Sequence, residues 1–345
     1  MRGIRKDFYT LLVFLCVFAS PAFGQMSYKI SNLGPLSTSG QAIPTDMNNS
    51  GQIVGKSANH AFLWSNGTKT DLGTLGGGLS VANAINNMGQ IVGDSTTANG
   101  EMHAFLWQHG AMTDLGLPGE NSSAHGINDL GEIVGSISGK NIRGGAILWT
   151  GGKRVLLGDL GPSGSGSTAM AVNAKGEVAG VSSGLGANSG GVVRAVVWVS
   201  GAIKDIGTLG GKHSTATAIN YQGEVVGWSE MSDQSTHAFS WQGGAMRDLG
   251  KLPGGVAAAG SGSQAVAINA TGEVVGSSLD SKGNSKAVIW QAGKIMDLNN
   301  MTARTSGQVF TRAIAINDRG QILVEEQVTP EVSTKSFLLS PRNVR

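Results

Sequence analysis

The stretch Ser80–Ser95, SVANAINNMGQIVGDS, holds two runs of strand character on either side of an Asn-Asn-Met-Gly turn. Asn bonds a turn backbone with its own side chain, and Gly takes positive φ, so the four residues suit a tight hairpin with a bulge. The same pattern, A-[IV]-N-x-x-G-[EQ]-[IV]-V-G with small departures, recurs seven times, anchored on Asn48, Asn86, Asn128, Asn173, Asn220, Asn269 and Asn317. The anchors are 38, 42, 45, 47, 49 and 48 residues apart. That period fits propeller blades and helical arrays alike, so strand chemistry must decide between them.

Each unit contains four short strand-like segments. In the second unit they read SVANAIN, GQIVGDS, MHAFLW and AMTDLG, and the last two are joined by Gln108-His109-Gly110, another glycine-bearing turn. Helical periodicity is absent. Four antiparallel strands per unit describe a blade, and seven units predict an all-β, seven-bladed β-propeller over residues 25–345. The seventh unit offers only three strands: AIAIN, GQILVEE and KSFLLSP. The missing fourth is matched by MSYKISNLGPL, residues 26–36, in which SNLGPL parallels TDLGTL. The first strand after the leader is therefore expected to complete the last blade.

Repeat columns suit this ring. Six, four and two residues before each Asn stand small side chains, as in Ser80, Ala82 and Ala84 or Ser214, Ala216 and Ala218, which fit where blades converge. Trp64, Trp107, Trp149, Trp198, Trp241 and Trp290 end the third segments, with Leu339 in the seventh. Blades diverge outward, and a buried indole removes roughly 150–250 Å² from water there.

Composition narrows the functional classes. The chain has 345 residues with 54 Gly and 8 Pro, and its apolar content excludes both collagen and a disordered chain. Arg2, Arg5 and Lys6 precede the apolar run FYTLLVFLCVFAS, and small residues follow at Ala22 and Gly24. Residues 1–24 read as a signal peptide cut after Gly24, which predicts a secreted or periplasmic protein. No later segment reaches the roughly 20 apolar residues of a membrane span. The lone cysteine, Cys16, lies in the leader, so the remainder has no disulfide, thiolate metal site or cysteine nucleophile. Of 25 basic and 23 acidic residues, 22 of each remain after the leader, and that balance argues against nucleic acid as a partner.

The motifs HAFLW, DLGTLGG and AIN..GQIVG resemble the repeat of the HAF family of bacterial extracellular proteins, named for the His-Ala-Phe triplet. The resemblance covers nearly all of the chain after the leader. It implies a repeat architecture and export, and it carries no reaction with it. Three units have a close version of the triplet stretch, beginning at His60, His103 and His237, whereas units three, four and six have GAILW, RAVVW and KAVIW.

The repeated polar residues read as frame. The histidine column holds His60, His103, Gly145, Arg194, His237, Lys286 and Lys335, an exchange no metal ligand tolerates. The aspartates Asp71, Asp114, Asp159, Asp205, Asp248 and Asp297 are equivalents spread round a ring, whereas a glycosidase needs one matched pair of carboxylates. The GTLGG glycines precede no helix and read as a flexible turn crossing to the next blade. No cofactor or metal is indicated.

Function is expected where units differ, on the face carrying the loops between second and third strands. Just after each second strand's VG stand Lys56, Asp94, Ser136, Val181, Trp228, Ser277 and Glu325. Trp228, the only tryptophan outside its column, suits stacking on a sugar or aromatic group. Lys56, Asp94, Glu325, Arg143, Lys212, His213, Glu230 and Asp233 are further ligand-binding candidates. The preferred reading is a non-catalytic module binding a glycan or an extracellular protein. The alternatives are a lyase or hydrolase acting on polysaccharide or cell-wall material, and a structural surface or matrix protein. An enzyme would bring an acid and a base with shifted pKa values into one pocket.

Overall fold

The computed structural model describes residues 27–33, 42–139, 142–161, 166–183, 191–256, 260–326 and 335–342. Residues 1–24, read from sequence as a signal peptide, lie outside them. The chain forms seven separate four-stranded antiparallel sheets. Each inner strand packs beside the next, and that of blade 7 packs beside that of blade 1, so the ring is closed. In blade 2 the strands Gly76–Ile85, Ile91–Thr97, Met102–Gln108 and Ala111–Asp114 follow one another from the axis outward. The upper face carries the loops between second and third strands and the crossings between blades. The lower face carries the Asn turns.

Blade 7 combines Phe310–Ile316, Ile322–Glu326 and Lys335–Pro341 with Tyr28–Asn32 as its outermost strand. Tyr28 pairs with Pro341 and Asn32 with Phe337, which is the closure expected from sequence. Of the expected segment 26–36, residues 26 and 34–36 lie outside the described residues. Tyr28 itself is only 2% exposed and anchors the core between blades 6 and 7. Burial pushes its phenol well above the usual tyrosine range, with the nearby Glu273 carboxylate adding to the effect.

The core is a set of seven wedges, each between neighbouring blades. Ile85, Ile91 and Phe105 of blade 2, for example, pack on Val54, Ala61 and Leu72 of blade 1. The Phe of the triplet, in Phe62, Phe105 and Phe239, is essentially without exposure. Burying each such ring stabilises the fold by about 2–3 kcal/mol. Trp149, Trp198 and Trp290 are buried and Trp64, Trp107 and Trp241 are half-buried at the outer end of the wedge.

The turn signature has a direct explanation. The backbone carbonyl of Asn86 accepts from Gly89, whose φ is 78°, and its side-chain oxygen accepts from Met88 and Gln90. Its amide donates to the Gln90 side chain at 2.7 Å and to the carbonyl of Asn128, the equivalent residue of the next blade, at 3.0 Å. The buried asparagine side chain thus makes four hydrogen bonds, and the Glu or Gln of the signature is one of its acceptors.

Candidate functional site

The channel wall is set by a bulge that every inner strand contains. Pairing with the second strand slips between Pro44 and Asp46, Ala82 and Ala84, Ala124 and Gly126, Ala169 and Ala171, Ala216 and Ala218, Ala265 and Ala267, and Ala313 and Ala315. The extra residue in each case is Thr45, Asn83, His125, Met170, Thr217, Val266 or Ile314. A bulge re-aims the extra side chain, and all seven line a central cavity of about 510 Å³. Three also stitch blades together: Thr45, Asn83 and Thr217 donate to the carbonyls of Ala82, Ala124 and Ala265. The glycine ending each second strand's signature lies opposite this bulge. A Cβ on Gly93 would lie 1.9 Å from the Val81 carbonyl oxygen, so no side chain fits. Blade 7 has Val324 there, and its inner strand takes a second irregularity between Phe310 and Arg312.

The candidates that follow each VG lie on the second strand itself. They pair with the inner-strand residue two before the bulge: Lys56 with Ile43, Asp94 with Val81, Trp228 with Thr215 and Glu325 with Arg312. They therefore form a second row behind the wall, toward the upper face. Trp228 reaches the cavity, where Gln264 and Arg312 also stand. Asp94 is committed to the frame, accepting from Asn83, from Ser123 at 2.7 Å and from the Ala124 amide. Burial pushes the Glu325 carboxyl up, and Arg312 opposes that shift.

The remaining candidates are not brought together with these. Glu230 accepts from the amides of Lys212 and His213 and so shapes the crossing into blade 5. His213 accepts in turn from the Val193 amide. The Ser235 hydroxyl and amide hold Asp233 below the usual carboxylate range within its own loop. Arg143 falls on the strand Ile142–Thr150, and its side chain lies outside the described residues.

Two cavity groups have shifted titrations that the sequence reading did not single out. Asp46 occupies a column that is otherwise alanine or glycine. Desolvation pushes its carboxyl up to about 6, against backbone hydrogen bonds from Ile85 and Met47 that lower it. His125 is pushed down by burial, and the Asp94 carboxylate partly opposes this. Its ring stands 3.5 Å from the Ser136 hydroxyl. Asp46 and Ile127 also line the lower mouth, a space of about 240 Å³ ringed by Asn49, Asn87, Asp129 and Asp318. Among the described residues, no cluster of three or more His, Asp or Glu is arranged to hold a metal ion.

The HAF and DLG motifs belong to the blade seams. The ring nitrogen Nδ1 of His60, His103 and His237 lies 2.8–2.9 Å from Asp71, Asp114 and Asp248. Each aspartate also accepts from the glycine of its DLG, as Asp71 does from Gly73. Next, the inner-strand serine of the following blade accepts from the Ala of the triplet, and Ser80 and Ser263 also donate to that glycine. Ser80 does so with Ala61 at 2.8 Å and Gly73 at 2.6 Å. The GTLGG crossing is a held structure: Thr74 bonds Gly77 and Gly76, and Leu75 donates to Ser95.

The fold is similar to those of larger enzymes. The chain superposes on a Pyrococcus horikoshii acylaminoacyl peptidase with a TM-score of 0.57 and 9% identity, covering 90% of this chain and 53% of that one. A puromycin-hydrolyzing peptidase of Mycobacterium tuberculosis gives 0.54 and 12%, with coverage of 92% and 52%. The β-propeller domain of the Trilobed protease from Pyrococcus furiosus gives 0.52 and 12%, with 75% and 84%. The chain thus spans about half the length of the two peptidases, and at these identities the likeness concerns the fold. No family model and no curated protein matches the sequence. No helix among the described residues is long and apolar enough to cross a membrane.

Proposed function

We propose that the protein is an exported binding module that takes a glycan at the upper part of its central cavity. The observation that carries this reading is Trp228, placed on the cavity wall by a strand whose equivalents bear Lys56, Asp94, Ser136, Val181, Ser277 and Glu325. Indole faces stack on sugar rings, and the rest of the wall mixes hydroxyl, amide and apolar groups in the manner of a small-molecule site. Export rests on the leader at residues 1–24 and on the resemblance to the HAF repeat. A glycan and peptidoglycan array probed with protein from Gln25 onward tests the reading. Binding that is lost in Trp228→Ala is expected, and binding unchanged by that substitution removes Trp228 from the site.

A second reading, a lyase or hydrolase, is favoured by Asp46 and His125. The two line one cavity, with Asp46 raised to about 6 and His125 lowered by burial, and oppositely shifted groups in one pocket are the acid–base candidates an enzyme would need. Incubation with the array ligands, followed by mass spectrometry for shortened or unsaturated products, decides it. Turnover abolished by Asp46→Asn and by His125→Gln supports catalysis; intact ligands support binding alone.

A further inference from the structure

The groups around the upper cavity divide by whether the fold already uses them. Asp94, Asn83 and Thr217 are engaged in hydrogen bonds across blades. Trp228, Gln264 and Arg312, from the consecutive blades 5, 6 and 7, are not: among the described residues no hydrogen bond or ion pair engages their side chains. Gln264 and Arg312 are equivalents, each two residues before its blade's bulge, and both are exposed into the channel. Arg312 sits beside the second irregularity of blade 7's inner strand, and its cross-strand neighbour Glu325 influences it only through charge, without an ion pair.

These free groups are mainly donors: an indole N–H, a guanidinium and one amide N–H₂. A ligand that satisfies them must be rich in acceptors. A peptide presents as many backbone donors as acceptors, and the Glu325 carboxyl across the strand from Arg312 neither lines the cavity nor forms an ion pair with it. A sugar ring with a carboxylate presents a face for the indole, ring and hydroxyl oxygens for the amide, and two parallel oxygens for the guanidinium fork. We infer that the cavity site selects acidic glycans, with a uronic-acid unit stacked on Trp228, held by Gln264 and paired through its carboxylate with Arg312. The inference rests on the glycan-binding reading and specifies which glycans.

The test is calorimetric titration of protein from Gln25 onward with an oligogalacturonate and, separately, with a neutral oligosaccharide of the same length. Preference for the acidic chain of at least tenfold is expected, weakening as salt is raised. Arg312→Gln should bring the two affinities together, and Arg312→Lys should restore part of the difference, because an ammonium keeps the charge without the fork. Arg319→Gln, an exposed arginine on the lower face, should leave the preference intact. Circular dichroism and the melting temperature verify that each variant is folded. Equal affinity for both sugars, or an undiminished preference in Arg312→Gln, overturns the inference while leaving glycan binding standing. Binding of poly-glutamate at the same strength as oligogalacturonate overturns it as well. Failure to bind any sugar overturns both.

Discussion

The side-chain amide of Asn317 donates to the backbone carbonyl of Asn48 at 3.1 Å, across 269 residues of sequence. It is the last link of a circle. Asn48 donates to Asn86, Asn86 to Asn128, Asn128 to Asn173, Asn173 to Asn220, Asn220 to Asn269 and Asn269 to Asn317, at 2.9–3.4 Å. All seven asparagines are at most 6% exposed. Any blade that turned out of place would leave buried polar groups without partners, so the circle fixes the rotation of each blade as well as its presence.

Replacing one link should therefore cost more than an ordinary hydrogen bond. Asn128→Ala leaves the amides of Leu130 and Glu132 without their acceptor and takes one of two donors from the buried Asn173 carbonyl, which keeps the Gly176 amide. A loss of about 3 kcal/mol or more is expected, since each buried group left unsatisfied costs about 1–3 kcal/mol. The measurement is the urea midpoint at constant slope. A shift corresponding to less than about 1 kcal/mol would show that water replaces the asparagine at little cost.

The seam serine and the seam histidine should differ sharply. Ser214 is wholly buried, accepts from Ala195 at 3.0 Å and donates to Gly207 at 2.7 Å. Ser214→Ala should cost about 2 kcal/mol through the two groups it orphans. The His60–Asp71 pair is largely exposed, and His60→Ala should cost well under 1 kcal/mol. Thermal melts of the two variants side by side check the order, and a larger effect at His60 would reverse the assignment of the seam to Ser, Ala and Gly.

The blade count, the closing strand and the framing role of His and Asp were legible because the unit is written seven times, and exchanges within a column, such as Gly, Arg and Lys for His, show what the frame tolerates. Of the groups that the proposed site uses, the sequence singled out only Trp228. The bulged residues, from Thr45 and Asn83 to Ile314, look like noise in an otherwise constant strand, since a bulge cannot be read from one chain's pattern of two. Their variability inside a conserved-looking segment was the available signal, as was Asp46 breaking a column of alanine and glycine. The binding candidates Glu230, His213 and Asp233 turned out to serve nearby backbone groups. Contacts of that kind depend on loop geometry, which spacing does not encode.

Asp46 gives the molecule a specific pH dependence. A carboxyl whose pKa is raised on folding makes the folded state bind a proton more tightly, so ionisation weakens the fold. The penalty is absent below about pH 4, grows between about pH 4 and 6, and stays constant above. Asp46→Asn keeps an acceptor for the Ile85 amide and removes the charge. The variant should match the wild type near pH 4 and exceed it at pH 8 by up to about 3 kcal/mol, less where channel water screens the charge. Parallel stability curves from pH 4 to 8 would mean that Asp46 ionises freely.

Closure by the first strand should depend on pairing and not on chain order. Without residues 1–33, the strand Lys335–Pro341 becomes a free edge and the pocket filled by Tyr28 opens. That chain should melt at lower temperature and self-associate as its concentration rises, since an unpaired edge recruits other strands. A permuted chain tests the same point from the other side. It starts at Ala42, runs to Arg342, crosses a short turn to Ser27 and ends at Leu33. The Arg342 amide already donates to the Ser27 carbonyl at 2.8 Å, so the new turn joins ends that are in contact. The permuted chain should be monomeric, with a melting temperature close to that of the parent. If it melts as early as the truncated chain, the strand contributes through its connection to blade 1, and the hydrogen-bonded pairing with Phe337–Pro341 is not what seals the ring.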